Sequence, residues 1–436
     1  MEWWMWFALI SGVFLILLAT GVPVFLSFMF VNVVFTYALM GTNGLSMFVH
    51  TIFSSVSTFV LLPIPLFLLL GEILVLSGVF AEAIDVLDLW MARITGRLCL
   101  IAIAAATIFS CISGSSVACT AMLGSLMLPE MLRRGYHKSI AVGSCFAGSL
   151  DMIIPPSAFA VILASLADIS IGKLLMAGLL PGFIMAGLYA AYILIRCKIQ
   201  PSLAPPFEPK QVPWLKKIVL TIRFVFPFFV IIAVVLGVIL FGLATPTESA
   251  AVGTVLSFIL VALYKKFTWK VVMEAFKDTV SVSSMVFMIL ASVTTFGQVL
   301  AYTGASQGLV NFVLHYNLPP SAVLCVMMVL LLLMGTFMEE VSIMMVTIPI
   351  FMPIARALGW DPIWFGLLFL INMSVGVKSP PFGLVLFVMQ GVVPPEISTL
   401  DVYKSTIPFI LLDCVAIIMF ILFPQIVTIV PSFMTH

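Results

Sequence analysis

The residues of this chain that could do chemistry are small hydroxyl residues and glycines placed near proline pairs in otherwise apolar sequence. Two short stretches, Ser113–Ser116 and Gly335–Thr336, interrupt apolar runs, and proline pairs follow each of them at Pro155–Pro156 and Pro380–Pro381. A proline pair stops a helix and frees backbone carbonyls, which can join hydroxyl oxygens in a cage for a hard monovalent cation such as Na⁺. Helix N-termini beside such breaks carry partial positive charge and can hold a carboxylate. The pattern therefore predicts two places where cations and an anion could bind.

The candidate ligands are the oxygen-bearing residues of these stretches. The cation-binding candidates are Ser113, Gly114, Ser115, Ser149, Asp151, Pro155, Gly335, Thr336, Gly376, Ser379 and Pro380. The substrate-binding candidates are Ser116, Ser157, Lys378 and Gly383. Glycine in the stretches would let the backbone approach an ion closely. The alternative for any single serine or glycine is a role in close helix packing alone.

Several ionisable residues lie in apolar surroundings, where charge is expensive and usually paired. Asp151 and Lys378 precede the two proline pairs, so we expect both near the site. Lys378 would bind the substrate anion, pair with Asp151 or take the place of a bound cation; the alternative is that it extends to an aqueous edge. Glu248 and Glu339 are expected to cap helices, and Glu248, Glu339 and Glu340 are assigned structural or coupling roles.

The composition indicates which class of protein positions these residues. Only 8% of the 436 residues are charged and 63% are hydrophobic, whereas about 25% of residues are charged in soluble domains. These values exclude a soluble or disordered protein, and the net charge of +1 excludes a basic nucleic-acid binder. The chain is therefore predicted to be an all-α, multi-pass protein of the lipid bilayer. At about 20 residues per span, it has room for about a dozen crossings.

Apolar runs and polar interruptions divide the chain into five predicted regions. These are residues 1–57 with N-terminal scaffold spans, 58–195 as a first repeat with a helical hairpin at about 98–129, 196–217 as a cytoplasmic linker, 218–281 with scaffold spans and an amphipathic arm, and 282–436 as a second repeat with a hairpin at about 321–355. Basic residues flank the segment 98–129 on both sides, and cytoplasmic loops collect Lys and Arg. The segment is thus either a re-entrant hairpin or a single kinked span.

An internal repeat favours the hairpin interpretation. Gly71 pairs with Gly297, Pro155 with Pro380 and Pro181 roughly with Pro408, at nearly constant offsets of 226, 225 and 227 residues. An odd number of predicted crossings separates the repeats, so they would have opposite orientations in the membrane. Inverted repeats with interrupted helices are typical of secondary transporters, whose binding sites lie at the repeat interface.

The ordered motifs of the chain resemble those of the large membrane subunit of TRAP (tripartite ATP-independent periplasmic) transporters. The motifs are SGSSVA at 113–118, IPPS at 154–157, ATPTESAAVG at 244–253, GTFME at 335–339 and PPFG at 380–383. The resemblance implies an elevator-type fold of the ion-transporter superfamily in a bacterial or archaeal inner membrane. It implies Na⁺-driven uptake of a carboxylate or similar organic anion. It also implies two partners, a small four-span membrane subunit and a periplasmic substrate-binding protein.

Three residues depart from the pattern of this family, and four other functions compete with it. The family usually has glycine at Asp151, an apolar residue at Lys378 and a small residue at Glu340. An intramembrane hydrolase is disfavoured because the sequence contains neither H-E-x-x-H nor G-x-S-x-G, so no enzyme is expected. An ion channel would not need two broken-helix sites, and ATP-driven transport lacks a G-x-x-x-x-G-K loop. A stand-alone cation-coupled symporter or antiporter of the same superfamily is the main alternative.

Overall fold

The computed structural model describes residues 2–90, 94–205, 212–316 and 318–434, without the side chains of residues 111–113. The described residues form helices and connecting turns, and none of them forms a strand. The helices are α1 (Trp3–Ala19), α2 (Val24–Val56), α3 (Pro63–Leu76), α4 (Phe80–Trp90), α5 (Arg97–Ser113), α6 (Ser116–Leu126), α7 (Leu128–Arg133), α8 (Lys138–Cys145), α9 (Ala158–Ala167), α10 (Ile171–Ile199), α11 (Trp214–Phe224), α12 (Phe226–Leu240), α13 (Pro246–Leu263), α14 (Trp269–Tyr302), α15 (Ala305–His315), α16 (Pro320–Gly335), α17 (Glu340–Ala357), α18 (Pro362–Gly376), α19 (Leu384–Val392), α20 (Thr399–Leu422) and α21 (Gln425–Ser432). Short 3₁₀ turns occupy Phe59–Leu61, Phe146–Met152 and Pro201–Leu203.

Long apolar helices confirm the predicted multi-pass membrane protein. Within the described ranges, seven helical segments are long and apolar enough to cross a bilayer, and α11 and α12, bent by 44°, add an eighth if they form one span. This is fewer than the dozen crossings for which the chain has room. The difference arises because other apolar sequence forms helices of only 10–17 residues, such as α5, α9, α16 and α18. Such helices are shorter than the roughly 20 residues that one crossing requires.

Both predicted hairpin regions are pairs of helices separated by a short non-helical tip. We call Gly114–Ser116 the first tip, which includes the first residue of α6, and Gly335–Glu340 the second tip, which includes the last residue of α16 and the first residue of α17. Gly114 ends α5 with a φ of +58°, a left-handed conformation that glycine adopts at little cost. Each tip therefore ends one helix and begins another. The opposite membrane orientation of the two pairs stays a prediction.

The two helix breaks predicted at the proline pairs are also present. In the first half, α8 continues as the 3₁₀ turn 146–152, the chain breaks at Pro155–Pro156, and α9 begins at Ala158. In the second half, α18 ends at Gly376, the chain breaks at Pro380–Pro381, and α19 begins at Leu384. Both Pro–Pro peptide bonds are cis. We call residues 146–157 the first break and residues 377–383 the second break.

The helices that follow the two tips pack against the helices that follow the two breaks. The helix after the first tip, α6, packs against α19, and the helix after the second tip, α17, packs against α9. Each post-tip helix thus contacts the post-break helix of the other half. Around these helices, α2 packs along α14 and α3 packs along α13. The predicted amphipathic arm and the span after it form one continuous helix, α14, of 34 residues. The predicted bounds of the five regions stay predictions.

Candidate functional site

A cavity of about 200 Å³ lies between the two tips. The first tip contributes all of its residues to the wall, and the second tip contributes Glu339 and Glu340. The post-break helices contribute Ala158 and Leu384. Helices α3 and α14 close the opposite side with Leu68, Glu72, Val282, Met285 and Val286. The fold therefore brings the polar stretches of the two halves to one shared space, as their places in the sequence predict.

The first tip presents the N-terminus of α6 to this cavity. Ser115 is the N-cap residue of α6, and its Oγ accepts a hydrogen bond from the Ala118 amide at 3.2 Å. The Ser116 hydroxyl donates to Asp151 Oδ1 at 2.8 Å, which fastens the tip to the first break. Because the first amides of a helix carry partial positive charge, this end of the cavity favours a carboxylate. The side chain of Ser113, a candidate ligand, lies outside the described residues.

Asp151 is buried without a full set of partners. The residue is 0% exposed, and its Oδ2 atom has no hydrogen-bond partner among the described residues. Thr120 Oγ1, one helical turn after Ser116, is also buried and unpaired within the described ranges. The first break passes close by, since a Cβ added to Gly148 would lie 2.9 Å from Thr120 Oγ1. Leaving a carboxylate oxygen unpaired in an apolar environment is costly, so Asp151 Oδ2 is suited to bind a cation.

The second tip is held by a close approach of two glycines. A Cβ added to either Gly335 or Gly376 would lie 2.7 Å from the Cα of the other, so the tip and the end of α18 touch through backbone. The Thr336 hydroxyl donates to the Leu333 carbonyl at 2.7 Å. Glu339 caps α17, because its carboxylate accepts hydrogen bonds from the amides of residues 341 and 342 at 3.0 and 3.1 Å. Glu340 lines the cavity and is 4% exposed.

Lys378 lies in a buried cluster behind the tips. Its Nζ is 2.5 Å from Asp413 Oδ2, and it donates hydrogen bonds to Ser149 Oγ and Tyr189 Oη, each at 2.8 Å. Lys378 and Asp413 are both 0% exposed. The prediction that Lys378 pairs with Asp151 is wrong, because α20 packs beside α18 and brings the Asp413 carboxylate to the ammonium. The alternative of a lysine that extends to an aqueous edge is wrong for the same reason.

The remaining candidates mainly hold the breaks in place. The Ser374 hydroxyl donates to the Ser149 carbonyl at 2.9 Å, which joins α18 to the first break. Ser157 donates to the Met152 carbonyl at 3.1 Å and is the N-cap residue of α9. Ser379 donates to the Val375 carbonyl at 2.7 Å.

Four further candidates are set by backbone or by position. Pro155 and Pro380 each begin a Pro–Pro pair within a break. A Cβ on Gly383 would collide with the Val377 carbonyl oxygen, so this turn requires glycine. Glu248 lies apart from the cavity, where its exposed carboxylate forms a capping box with Thr245 at the start of α13.

Sequence reasoning missed Asp413, Tyr189 and Glu72 as parts of the site. Asp413 is a carboxylate inside the apolar run of α20, and the rule that singled out Asp151 and Lys378 applies to it equally. Glu72 was recognisable in the same way within α3. Tyr189 gives no such signal, since an amphipathic tyrosine is common in membrane helices.

Comparison with known proteins places this geometry in a family. The family model described as "Tripartite ATP-independent periplasmic transporter, DctM component" matches residues 11–426. The chain is 32% identical to the C4-dicarboxylate TRAP transporter large permease protein DctM of Pseudomonas aeruginosa, over 88% of each chain. It is 30% identical to the sialic acid TRAP transporter large permease protein SiaM of Vibrio cholerae, over 95% of this chain and 96% of that protein. The crystal structure of the Alcanivorax borkumensis YdaH transporter shares the fold, with a TM-score of 0.65 and 15% identity over 89% of this chain and 91% of that one.

Proposed function

Because the chain belongs to the DctM component family of tripartite ATP-independent periplasmic transporters, we propose that it imports a small organic anion across a bacterial or archaeal inner membrane, driven by a Na⁺ gradient. Its relatives are permease subunits of secondary transporters and not enzymes. The names of two relatives specify C4-dicarboxylate and sialic acid, both of which carry carboxylates. We propose a substrate of the same chemical class.

The charge of the cavity carries the proposal of cation coupling. The wall includes three carboxylate residues, Glu72, Glu339 and Glu340, and no basic side chain among its described residues. Two like unit charges 4 Å apart repel by about 4 kcal/mol at an effective dielectric constant of 20. An anion that entered this space alone would meet repulsion from each of these carboxyl groups that is ionised. Bound cations remove it, which supports a site where Na⁺ and the substrate bind together.

The geometry offers distinct places for the two kinds of ligand. The substrate carboxylate would bind at the N-terminus of α6, where Ser116 and Val117 line the cavity. Na⁺ would bind at the tips and breaks, where Asp151 Oδ2 is unpaired and where backbone carbonyls are not used by a regular helix. The candidate residues of the two halves would in this way form adjacent sites.

The position of the cavity supports an elevator-type movement. One side of the cavity consists of the tips and post-break helices, which interlock as described above. The other side consists of α3 and α14, which pack along α13 and α2. If the interlocked part slides along α3 and α14, the substrate moves with it while that wall stays in place. Substrate would arrive from a periplasmic binding protein, and a small four-span subunit would complete the membrane part, in keeping with the tripartite family.

Uptake into proteoliposomes tests the proposal. The chain would be reconstituted with its small partner, and uptake of radiolabelled succinate and sialic acid measured with and without the cognate binding protein. We expect uptake of one probe that requires both the binding protein and an inward Na⁺ gradient. Uptake without the binding protein would instead establish a stand-alone carrier. Uptake that follows a proton gradient and ignores Na⁺ would overturn Na⁺ coupling.

The contact between the two glycines gives a first prediction for a variant. In Gly376→Ala, the new Cβ would lie 2.7 Å from Gly335 Cα, so the second tip must move away from α18. Since a displacement of about 1 Å at a binding site can cost about 100-fold in rate, we expect the initial uptake rate to fall by about that factor. Gly391→Ala in α19 is the matched control, because nothing lies within 4 Å of its added Cβ. An unchanged rate in Gly376→Ala would show that the close approach is not needed.

A further inference from the structure

The buried cluster around Lys378 has the chemistry of a cation site. Three oxygen atoms surround Nζ: Ser149 Oγ and Tyr189 Oη at 2.8 Å and Asp413 Oδ2 at 2.5 Å. They come from three different elements, namely the first break, α10 and α20. Lysine carries three donors and no acceptor; Nζ donates to the two hydroxyl oxygens and forms an ion pair with the Asp413 carboxylate.

The hydroxyl protons of the cluster point away from the ammonium. The Ser149 hydroxyl donates to the Phe146 carbonyl at 3.0 Å, and the Tyr189 hydroxyl donates to Asp413 Oδ1. Both oxygens therefore present lone pairs to Lys378 Nζ. A carboxylate and two hydroxyls arranged in this way are ligands that a hard cation such as Na⁺ also accepts.

Charge pairing distinguishes the cluster around Lys378 from Asp151. The cluster and Asp151 together contain two carboxyl groups and one ammonium, and Asp151, Lys378 and Asp413 are all 0% exposed. Lys378 neutralises Asp413 directly, whereas Asp151 Oδ2 stays unpaired among the described residues. The Asp413 carboxylate thus has a cation supplied by the protein, whereas Asp151 Oδ2 would take its cation from solution.

We propose that the three oxygens form an internal cation site, that the Lys378 ammonium fills it permanently, and that Na⁺ enters it when the ammonium is removed. The site holds the second break against the first break, α10 and α20 without an ion from solution. The backbone supports the same junction, because the Thr406 hydroxyl of α20 donates to the Lys378 carbonyl at 3.2 Å. The proposal does not rest on the transport function, since it concerns the binding of Na⁺ to a variant of this chain.

The test uses Lys378→Ala, which leaves space beside the three oxygens. Thermal unfolding of the purified chain in detergent would be followed as NaCl replaces choline chloride, from about 1 to about 100 mM at constant ionic strength. A ligand that binds only the folded state raises the melting temperature. We expect the melting temperature of this variant to rise by about 3 °C more than that of the wild type.

Two matched variants separate ion binding from simple packing. Lys378→Met fills the space with an apolar chain, and Lys378→Ala combined with Asp413→Asn keeps the space but removes the charge. Neither should gain the additional Na⁺ response. An equal response in the Asp413→Asn combination would overturn the proposal, and so would a Lys378→Ala melting temperature that is the same in both salts.

A failure of Lys378→Ala to fold would also decide whether the proposal holds. If Lys378→Ala stays unfolded in about 100 mM NaCl while Lys378→Met combined with Asp413→Asn folds, Na⁺ does not replace the ammonium and the proposal is wrong. The Na⁺ response of the wild type is a separate readout, which concerns the ion sites proposed at the tips. The failure of Na⁺ coupling and the failure of the internal site are therefore distinguishable.

Discussion

Replacing Lys378 with methionine is expected to lower the free energy of unfolding by about 3–5 kcal/mol, because it leaves the Asp413 carboxylate buried without its counter-ion. Both residues are 0% exposed, and no solvent is available to the carboxylate in place of the ammonium. Methionine fills a similar volume, so lost packing contributes little. Denaturant or thermal unfolding of the purified chain in detergent measures the change.

A double-mutant cycle isolates the ion pair from other effects of the substitution. Asp413→Asn alone should also be strongly destabilising, since it leaves the Lys378 ammonium uncompensated. The combination of Lys378→Met and Asp413→Asn should recover most of the loss, because replacing a whole buried pair is often nearly neutral. If the double variant instead loses the sum of the two single costs, the charges are not coupled and the ion pair does not stabilise the fold.

The fold class was predictable from sequence because membrane constraints are strong. Few charges and long apolar runs leave only helices, and the proline pairs at 155–156 and 380–381 mark breaks that any helix must show. Gly21 and Pro23 mark the turn after α1, and Pro246 marks the start of α13, so turn residues determined both boundaries.

Partner choice inside the core was not predictable in the same way. Asp151 and Lys378 occupy nearly equivalent places before the two proline pairs, which made a pair between them a reasonable expectation. Their actual partners, Ser116 and Asp413, are set by how α6 and α20 pack against the breaks. Sequence spacing predicts which residues lie in one layer. It does not predict which side of a helix faces which neighbour within that layer, because helix rotation depends on packing across the whole core.

Replacing Asp151 with asparagine is expected to raise the Na⁺ concentration for half-maximal uptake by about tenfold or more. The amide keeps the shape of the side chain and an oxygen that can still accept from Ser116, but it removes the negative charge. Interactions with a charged group are worth about 1.5–3 kcal/mol, and 1.4 kcal/mol corresponds to a tenfold change in affinity. Uptake as a function of Na⁺ concentration, measured in proteoliposomes containing equal amounts of folded protein, gives the value.

Asp168→Asn is the matched control, since Asp168 is exposed at the end of α9 with a φ of +52°, a conformation that asparagine tolerates well. It should leave the half-saturating Na⁺ concentration unchanged. Ser116→Ala should shift that value less than Asp151→Asn does, because it removes one hydrogen bond to Asp151 Oδ1 and keeps the charge. If Asp151→Asn takes up substrate with wild-type Na⁺ dependence, the unpaired Oδ2 is not a Na⁺ ligand. If it loses only a dependence on the proton gradient, the buried carboxylate binds a proton, and Na⁺ must be held by the backbone and hydroxyl oxygens of the tips.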